Sequence, residues 1–341
     1  MSLTLIASER FGEHQTPPGH PESPARATVM DGVAADWRAA GRTVSQPRRV
    51  TREELVLAHS EAYVSQIEAL AGRSVQLDAD TYTSPESVSA AEYAAGAAAG
   101  AVDEVLSARG RRAFVLARPP GHHAERDKAM GFCFFNSIAV AAAVARRAGA
   151  GRVAIVDYDV HHGNGTQHIF EADPQVLYVS MHQFPFYPGT GDAPEVGRGA
   201  GTGFTVNVPM EMGAVDTDYH EVYDQVVLPV LRQFRPDLLL ISAGFDAHER
   251  DPLGNMRLST DAFAAMTADL CRVADESAQG RVVALVEGGY DLTALRECTT
   301  TVADVLAGLH APAWPGSDRR SARGAEAVRK VRAAQAAHWR L

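Results

Sequence analysis

Asp159 and His161 stand two residues apart in the run Asp157-Tyr-Asp-Val-His-His-Gly-Asn-Gly-Thr166. On an extended segment side chains alternate between faces, so these two point the same way and can grip one cation. A carboxylate and an imidazole suit a borderline divalent ion such as zinc, and a catalytic zinc needs only one more protein ligand and an open position. Asp246, in Gly244-Phe-Asp-Ala-His248, is the natural third ligand. Arg118-Pro-Pro-Gly-His-His123 adds two adjacent imidazoles and Glu287-Gly-Gly-Tyr290 ends on a phenol, so a few short blocks gather metal-ligand and proton-transfer groups. Taken singly, each block has an ordinary reading. A His-His pair is common on surfaces or as a satisfied buried group, and Gly-Gly-Tyr is a turn with an aromatic. Asp157 could be a strand-end or helix-capping carboxylate, and Phe132 and Tyr187 plain core aromatics.

Groups this far apart in sequence can meet only if the fold delivers them to one place. Short β-rich runs alternate with Ala-rich stretches, the pattern of a mostly parallel central sheet flanked by helices in an α/β domain. Strands are expected at Phe114–Ala117, Arg152–Val156, Val176–Ser180, Leu238–Ser242 and Val282–Val286. Helices are expected near 86–108, 136–148, 216–233, 261–278 and 291–308, the fourth opened by Ser259-Thr260-Asp261 as a cap. Polar residues follow the carboxyl end of every expected strand: His122 and His123, then Asp157 to His161, His182, Asp246, and Glu287 to Tyr290. Open α/β sheets bind ligands at that edge, so one crevice is expected to collect these groups.

Whole-chain numbers bound the reading. With 341 residues, a single catalytic domain over 1–312 and a helical extension over 313–341, packed on or beside it, are expected. A hydrophobic content of 46% and a charged content of 22% are those of an ordinary globular protein. Lys plus Arg number 32 and Asp plus Glu 42, a net charge of −10 that disfavours direct nucleic-acid binding and would attract a cationic substrate. Cys133, Cys271 and Cys298 have neither zinc-ligand spacing nor an even disulfide count, which fits a reducing compartment. Cys133, near the site, reads as a small buried thiol. No basic-then-apolar leader and no bilayer-spanning apolar run is present, so a cytoplasmic location without a membrane partner is expected. Association into a homo-oligomer is left open.

The blocks quoted above, with Gly131-Phe-Cys-Phe-Phe-Asn136, resemble the zinc-dependent histone deacetylase family in identity, order and spacing. That family includes bacterial histone deacetylase-like amidohydrolases, acetylpolyamine amidohydrolases and acetoin-utilisation proteins. The similarity runs over roughly residues 15–308 and takes in His20-Pro-Glu-Ser-Pro-Ala-Arg26 and Asp78-Ala-Asp-Thr-Tyr-Thr-Ser-Pro85. It implies the arginase-deacetylase fold and one zinc ion on Asp159, His161 and Asp246. It implies His123 as general base and acid oriented by Asn164, His122 paired with Asp157, and Tyr290 donating to the oxyanion. A carboxylate partner favours imidazolium, so His122 is expected to be cationic and His123 close to neutral. By the same resemblance Phe132 and Tyr187 face each other as tunnel walls, the Gly131 carbonyl accepts the substrate amide N–H, and Leu253 and Gly288 lie beside the substrate. It also implies potassium on Asp157, Asp159, His161, Ser180 and Met181, and Arg26 lining a channel that could guide acetate out.

Departures from relatives narrow the expectation. Gly163 follows Asp159-Val-His-His162 and His248 stands two residues after Asp246, so the bridging carboxylates of two-manganese arginase-like relatives are missing, and a guanidino hydrolase is disfavoured. After Asp251-Pro252, where eukaryotic-type polyamine deacetylases carry an acid, this chain has Leu253, which offers a cationic amine no electrostatic partner. The expected activity is zinc-dependent hydrolysis of N-acetyl (acyl) amides of lysine side chains or related primary amines to amine and acetate. Its expected substrate is an acetylated lysine peptide or protein. An acetylated polyamine, another small amide, and a zinc-containing protein with little turnover are the alternatives, and the same ligands accept ferrous iron as well as zinc. His14, His59, His168, His220, His248, His310 and His338 are expected in structural or surface roles.

Overall fold

In the computed structural model, which describes residues 3–107, 111–316 and 322–341, the chain is built on one eight-stranded sheet. Its strands are β1 (Leu3–Ile6), β2 (Val44–Ser45), β3 (Arg112–Val115), β4 (Val153–Asp157), β5 (Val176–Gln183), β6 (Thr205–Met210), β7 (Leu238–Ala243) and β8 (Val282–Val286). They lie in the order β2-β1-β3-β8-β7-β4-β5-β6, and every neighbouring pair is parallel. Parallel neighbours need crossover connections, which here are helices on both faces. These are α1 (Pro24–Ala39), α2 (Arg52–Ala58), α3 (Glu61–Glu68), α4 (Ser87–Leu106), α5 (Ser137–Arg147), α6 (Asn164–Phe170), α7 (Asp216–Val222), α8 (Leu228–Phe234), α9 (Thr260–Ser277), α10 (Leu292–Leu306) and α11 (Ala322–Gln335).

The two-residue period of a strand feeds two cores. In β4, Ala154 and Val156 join the core under α1 and α7 to α11, while Val153 and Ile155 join the one under α2 to α6. Each fully buried Val, Leu or Ile contributes about 1.5–3 kcal/mol of apolar transfer free energy. Ser259 caps α9 as its sequence suggests, its hydroxyl accepting the Ala262 N–H at 3.3 Å.

Several boundaries differ from the sequence reading, each for a physical reason. The first expected strand, Phe114–Ala117, lies two residues earlier as Arg112–Val115. A charged residue opens it because Arg112 is buried with Asp275 at 3.0 Å, and it ends as the chain turns into Pro119-Pro120, which have no N–H for a ladder. β1, β2 and β6 were outside the expected set: β2 has only two residues, and Asn207 and Pro209 interrupt the apolar run of β6. Pro209 is tolerated because β6 is an edge strand. The expected helix over 216–233 divides into α7, a π-helical turn at Tyr223–Val227, and α8, where Pro229 falls in the first turn. Residue 108, in the expected helix near 86–108, and residues 317–321 of the C-terminal extension lie outside the described residues.

α11 packs on α7 and β6. Ala327, Val328 and Val331 are buried in the first core, and Gln335 Nε2 donates to the Thr205 carbonyl at 2.7 Å, so the helix covers an edge that would otherwise present unpaired backbone. Among the described residues no helix is long and apolar enough to cross a membrane.

Candidate active site

Strand order explains why distant blocks meet. β3, β8, β7 and β4 are successive neighbours, and the segments leaving their carboxyl ends carry His122 and His123, Glu287 to Tyr290, Asp246, and Asp159 to His161. Asp159, His161 and Asp246 offer ligand atoms all within 4.8 Å of one another, and all three residues are buried. His161 Nδ1 lies 3.1 Å from both Asp159 Oδ1 and Asp246 Oδ2. The rest of each carboxylate is fixed by backbone: Asp159 Oδ2 accepts the Gly288 N–H at 2.8 Å, and Asp246 Oδ1 accepts the Val160 N–H at 2.8 Å. Gly288 must be glycine, since a Cβ there would lie 2.1 Å from Asp246 Oδ2 and 2.6 Å from Asp159 Oδ2.

Electrostatics fit a cation in this cradle. Burial, then the neighbouring Asp159 charge, pushes the Asp246 carboxyl up to about 7. Burial alone would lower His161, but its bonds to Asp159 and Asp246 outweigh that and push it up to about 10. Three convergent groups that retain a proton between them are a cation-seeking donor set, and two oxygens with one nitrogen suit a borderline divalent metal.

The adjacent histidines are pushed in opposite directions. His122 Nδ1 donates to Asp157 Oδ2 at 3.0 Å, and Asp157 also accepts from the Tyr178 hydroxyl at 3.1 Å. Burial opposes a charge on His122, yet Asp157 and then Asp159 prevail and push it up to about 10. His123 moves the other way, well below the usual imidazole range, through burial and the charges of His122 and His161. Its Nδ1 donates to Asn164 Oδ1 at 2.7 Å, so Nε2 is the lone-pair nitrogen. The surroundings therefore favour the imidazolium form of His122 and the neutral form of His123.

Tyr290 is held from behind by Asp251 and Arg26, of which only Arg26 was among the expected site residues. Asp251 Oδ2 accepts the Tyr290 N–H at 2.6 Å and the Asp291 N–H at 3.2 Å, and its Oδ1 accepts the Leu253 N–H at 3.0 Å. Arg26 is fully buried; its Nε donates to the Gly289 carbonyl at 2.7 Å, its Nη2 to the Glu287 carbonyl, and its guanidinium sits 5.0 Å from the centre of the Tyr290 ring. Glu22 joins Arg26, at 3.0 Å, to Arg118. Glu287 Oε2 accepts the N–H groups of Gly121, at 2.7 Å, and His122, at 3.2 Å, tying the histidine loop to the tyrosine loop. A buried carboxylate inside a Glu-Gly-Gly-Tyr turn at a strand end is a readable signal; Asp251 and Glu22 look like surface acids in sequence.

Above these groups is a cavity of about 270 Å³ lined by His122, His123, Gly131, Phe132, Tyr187, Leu253 and Tyr290, together with Asp80 and Phe186. Phe132 has φ +69°, a left-handed conformation costing a bulky residue about 1–3 kcal/mol. Its N–H donates to Thr81 Oγ1 at 3.1 Å, and its ring meets His20 at 4.8 Å and Tyr290 at 5.9 Å. Tyr187 instead meets His123 at 5.1 Å and His161 at 6.1 Å, so the two walls share the cavity with different ring neighbours. Phe186, not selected from sequence, stacks on His161 at 5.4 Å. Gly131 has φ +57°, and a Cβ there would strike His123 at 2.5 Å.

Of the groups expected around potassium, Asp157 is bonded to His122 and Tyr178, Ser180 Oγ lies 2.8 Å from His182 Nδ1, and Met181, whose thioether side chain lies in the hydrophobic core, has an oxygen only on its backbone. Cys133 is buried and its thiol is pushed well up, first by burial and then by Glu287.

A parallel α/β fold with a buried Asp-His-Asp cradle, a neutral imidazole and a phenol on one cavity defines a metal-site hydrolase class. The model of the histone deacetylase domain matches residues 20–306, and the chain belongs to that family. Histone deacetylase 15 of Arabidopsis thaliana is 42% identical over 302 residues, covering 85% of this chain and 53% of that protein. Polyamine deacetylase HDAC10 of Homo sapiens is 41% identical over 308 residues, covering 86% of this chain and 45% of that protein. The chain thus spans about half the length of these two relatives. The crystal structure of the HDA15 HD domain superposes with a TM-score of 0.91 at 38% identity, covering 99% of this chain and 95% of that one, which places the fold in the arginase-deacetylase class.

Proposed function

We propose that this chain is a zinc-dependent deacetylase that hydrolyses N-acetyl amides of lysine side chains or related primary amines to amine and acetate. The observation that carries the reading is one cavity lined by His123, which is pushed well below the usual imidazole range, by the half-buried Tyr290, and by His161 of the Asp159, His161, Asp246 cradle. A divalent ion held by those three ligands supplies Lewis acidity toward an amide carbonyl and a water molecule. His123 accepts the water proton at Nε2 while its Nδ1–H stays on Asn164, then returns the proton to the departing amine. The Tyr290 hydroxyl donates to the amide oxygen as negative charge develops there; burial, against the opposing pull of Arg26, keeps that phenol protonated. Cationic His122, anchored by Asp157, stabilises that charge at longer range. Phe132 and Tyr187 wall the alkyl chain, and the Gly131 carbonyl accepts the substrate N–H. Potassium is the proposed second ion, taking oxygens from Asp157, Asp159, His161, Ser180 and Met181, since Asp157 and Asp159 bring two buried carboxylates to one region.

Leu253 favours a lysine side chain, being an apolar group at the cavity wall. Acetylpolyamine hydrolysis is supported by a separate observation: Asp80 lines the same cavity and forms no salt bridge to a cationic side chain among the described residues. Its neighbour Asp78 is occupied by the turn, accepting the Asp80 and Thr81 N–H groups at 3.1 and 2.8 Å. Acetate release from an acetyl-lysine peptide, acetylputrescine and acetylcadaverine, with zinc-loaded and chelated protein, tests both. Metal-dependent turnover of the peptide in preference to the diamines is expected. The reverse order makes Asp80 the dominant wall, and metal-bound protein inactive on all three refutes the deacetylase reading.

A further inference from the structure

His123 is oriented by an amide, and an amide offers an acceptor at one end and donors at the other. With Asn164 Oδ1 toward it, His123 carries its proton on Nδ1; with the amide flipped, Nδ2 would donate to Nδ1 and the proton would sit on Nε2, removing the lone pair the reaction needs. The two ends are nearly the same shape, so only their other partners decide which way the amide points. Asn164 Nδ2 has three acceptors around it: the His123 carbonyl at 3.4 Å, Met130 Sδ at 3.5 Å and Glu125 Oε1 at 2.5 Å. Two are long, and one is a close carboxylate, which when ionised can only accept. A flipped amide would turn its oxygen against that charge.

The Glu125 backbone is anchored without its side chain. Its N–H donates to the Lys128 carbonyl at 2.9 Å and its carbonyl accepts from His59 Nδ1 at 3.0 Å. The carboxylate is in turn held by His168 Nδ1, at 2.8 and 3.0 Å from its two oxygens, on α6, the helix that begins with Asn164. A line of side chains therefore runs from the cavity to the surface: His123, Asn164, Glu125 and the partly exposed His168.

We infer that Glu125 is a positioning residue for the hydrolysis, its carboxylate locking the Asn164 amide in the one orientation that keeps His123 in the Nδ1–H tautomer. This role depends on the deacetylase reading, in which His123 is the base. Glu125 is not among the residues that line the cavity or form the metal cradle, and its side chain reaches the base through the Asn164 amide.

Glu125→Gln is the informative change, because the amide it introduces and that of Asn164 could flip together and remain bonded either way, opening both tautomers of His123. In the zinc-loaded full chain kcat should fall about tenfold or more, as for loss of an outer-shell orienting group, with KM within about twofold and zinc content unchanged. In an Asn164→Asp background the side chain has no nitrogen end to misplace, so Glu125→Gln should cost nothing further, or should restore activity by removing a second carboxylate. Wild-type kcat in Glu125→Gln, or the same fractional loss in both backgrounds, overturns the assignment. The 15N shifts of the His123 ring provide a readout independent of turnover: Nδ1–H is expected in the parent and a mixture in Glu125→Gln, and a pure Nδ1–H ring in the variant refutes the lock even if kcat falls. A parent chain that hydrolyses no acetylated amine defeats the deacetylase reading, while the tautomer measurement still decides what Glu125 does.

Discussion

The floor of the cavity and its mouth are built on opposite principles. On the floor, polar and charged groups are buried and each is bonded to a neighbour: Asp157 to His122, His123 to Asn164, Asp159 to Gly288, Asp246 to Val160. At the mouth the walls are aromatic rings and Leu253, Tyr187 is 38% exposed, and Phe132 holds a left-handed backbone through a single N–H bond to Thr81. Buried polar networks tolerate little change because any unpaired member is costly. Apolar walls tolerate more. On the proposed reading, the floor sets the reaction class and the mouth adjusts substrate choice.

The largest expected effect tests the floor. Tyr290→Phe removes one donor and leaves every metal ligand in place, so kcat should fall about 10²–10³-fold with zinc content unchanged, read by steady-state kinetics and metal analysis. Near-normal turnover would falsify the tyrosine's role.

Next is the charge on His122. Its folded pKa, about 10, lies above the unfolded imidazole value of about 6.5. The stability it contributes is therefore fully present below about 6.5 and is lost as the pH rises through about 10. In chelator, the urea midpoint of the parent should exceed that of His122→Gln near pH 6, and the gap should close as the pH approaches 10. A gap that is constant with pH would mean His122 is not the cation described.

The smallest expected effect belongs to the mouth. Tyr187→Ala removes one partly exposed wall and should raise KM about three- to tenfold, in proportion to lost apolar contact, with kcat little changed. A fall in kcat as deep as that of Tyr290→Phe would erase the distinction between floor and mouth, because Tyr187 would then be acting through His123 or His161.

Much of this was legible in the residues. The spacing of Asp159 and His161 reports a shared strand face whatever the fold around it, and polar groups after each apolar run mark the ligand edge of an α/β sheet. Arg112 masked the true start of β3 and Pro209 hid β6, because a partner elsewhere in the chain makes the charge acceptable and an edge position makes the missing N–H acceptable. Asp251, Glu22 and Glu125 were equally hidden, since their use depends on which backbone or side-chain donor lies opposite. Phe186 could not be told from Tyr187 by pattern, as adjacent aromatics in a loop leave open which one meets His161.

By itself the sequence determined the kind of chemistry: donor types, their local spacing, and the alternation of strands and helices are properties of short stretches and survive without knowledge of the whole. Only the tertiary structure decided the adjacency of β3, β8, β7 and β4, the burial and partners that push two neighbouring histidines in opposite directions, and the direction of the Asn164 amide. Those depend on burial and on partners from 35 to 166 residues away, as in His122 with Asp157 and Gly121 with Glu287, which local spacing does not encode.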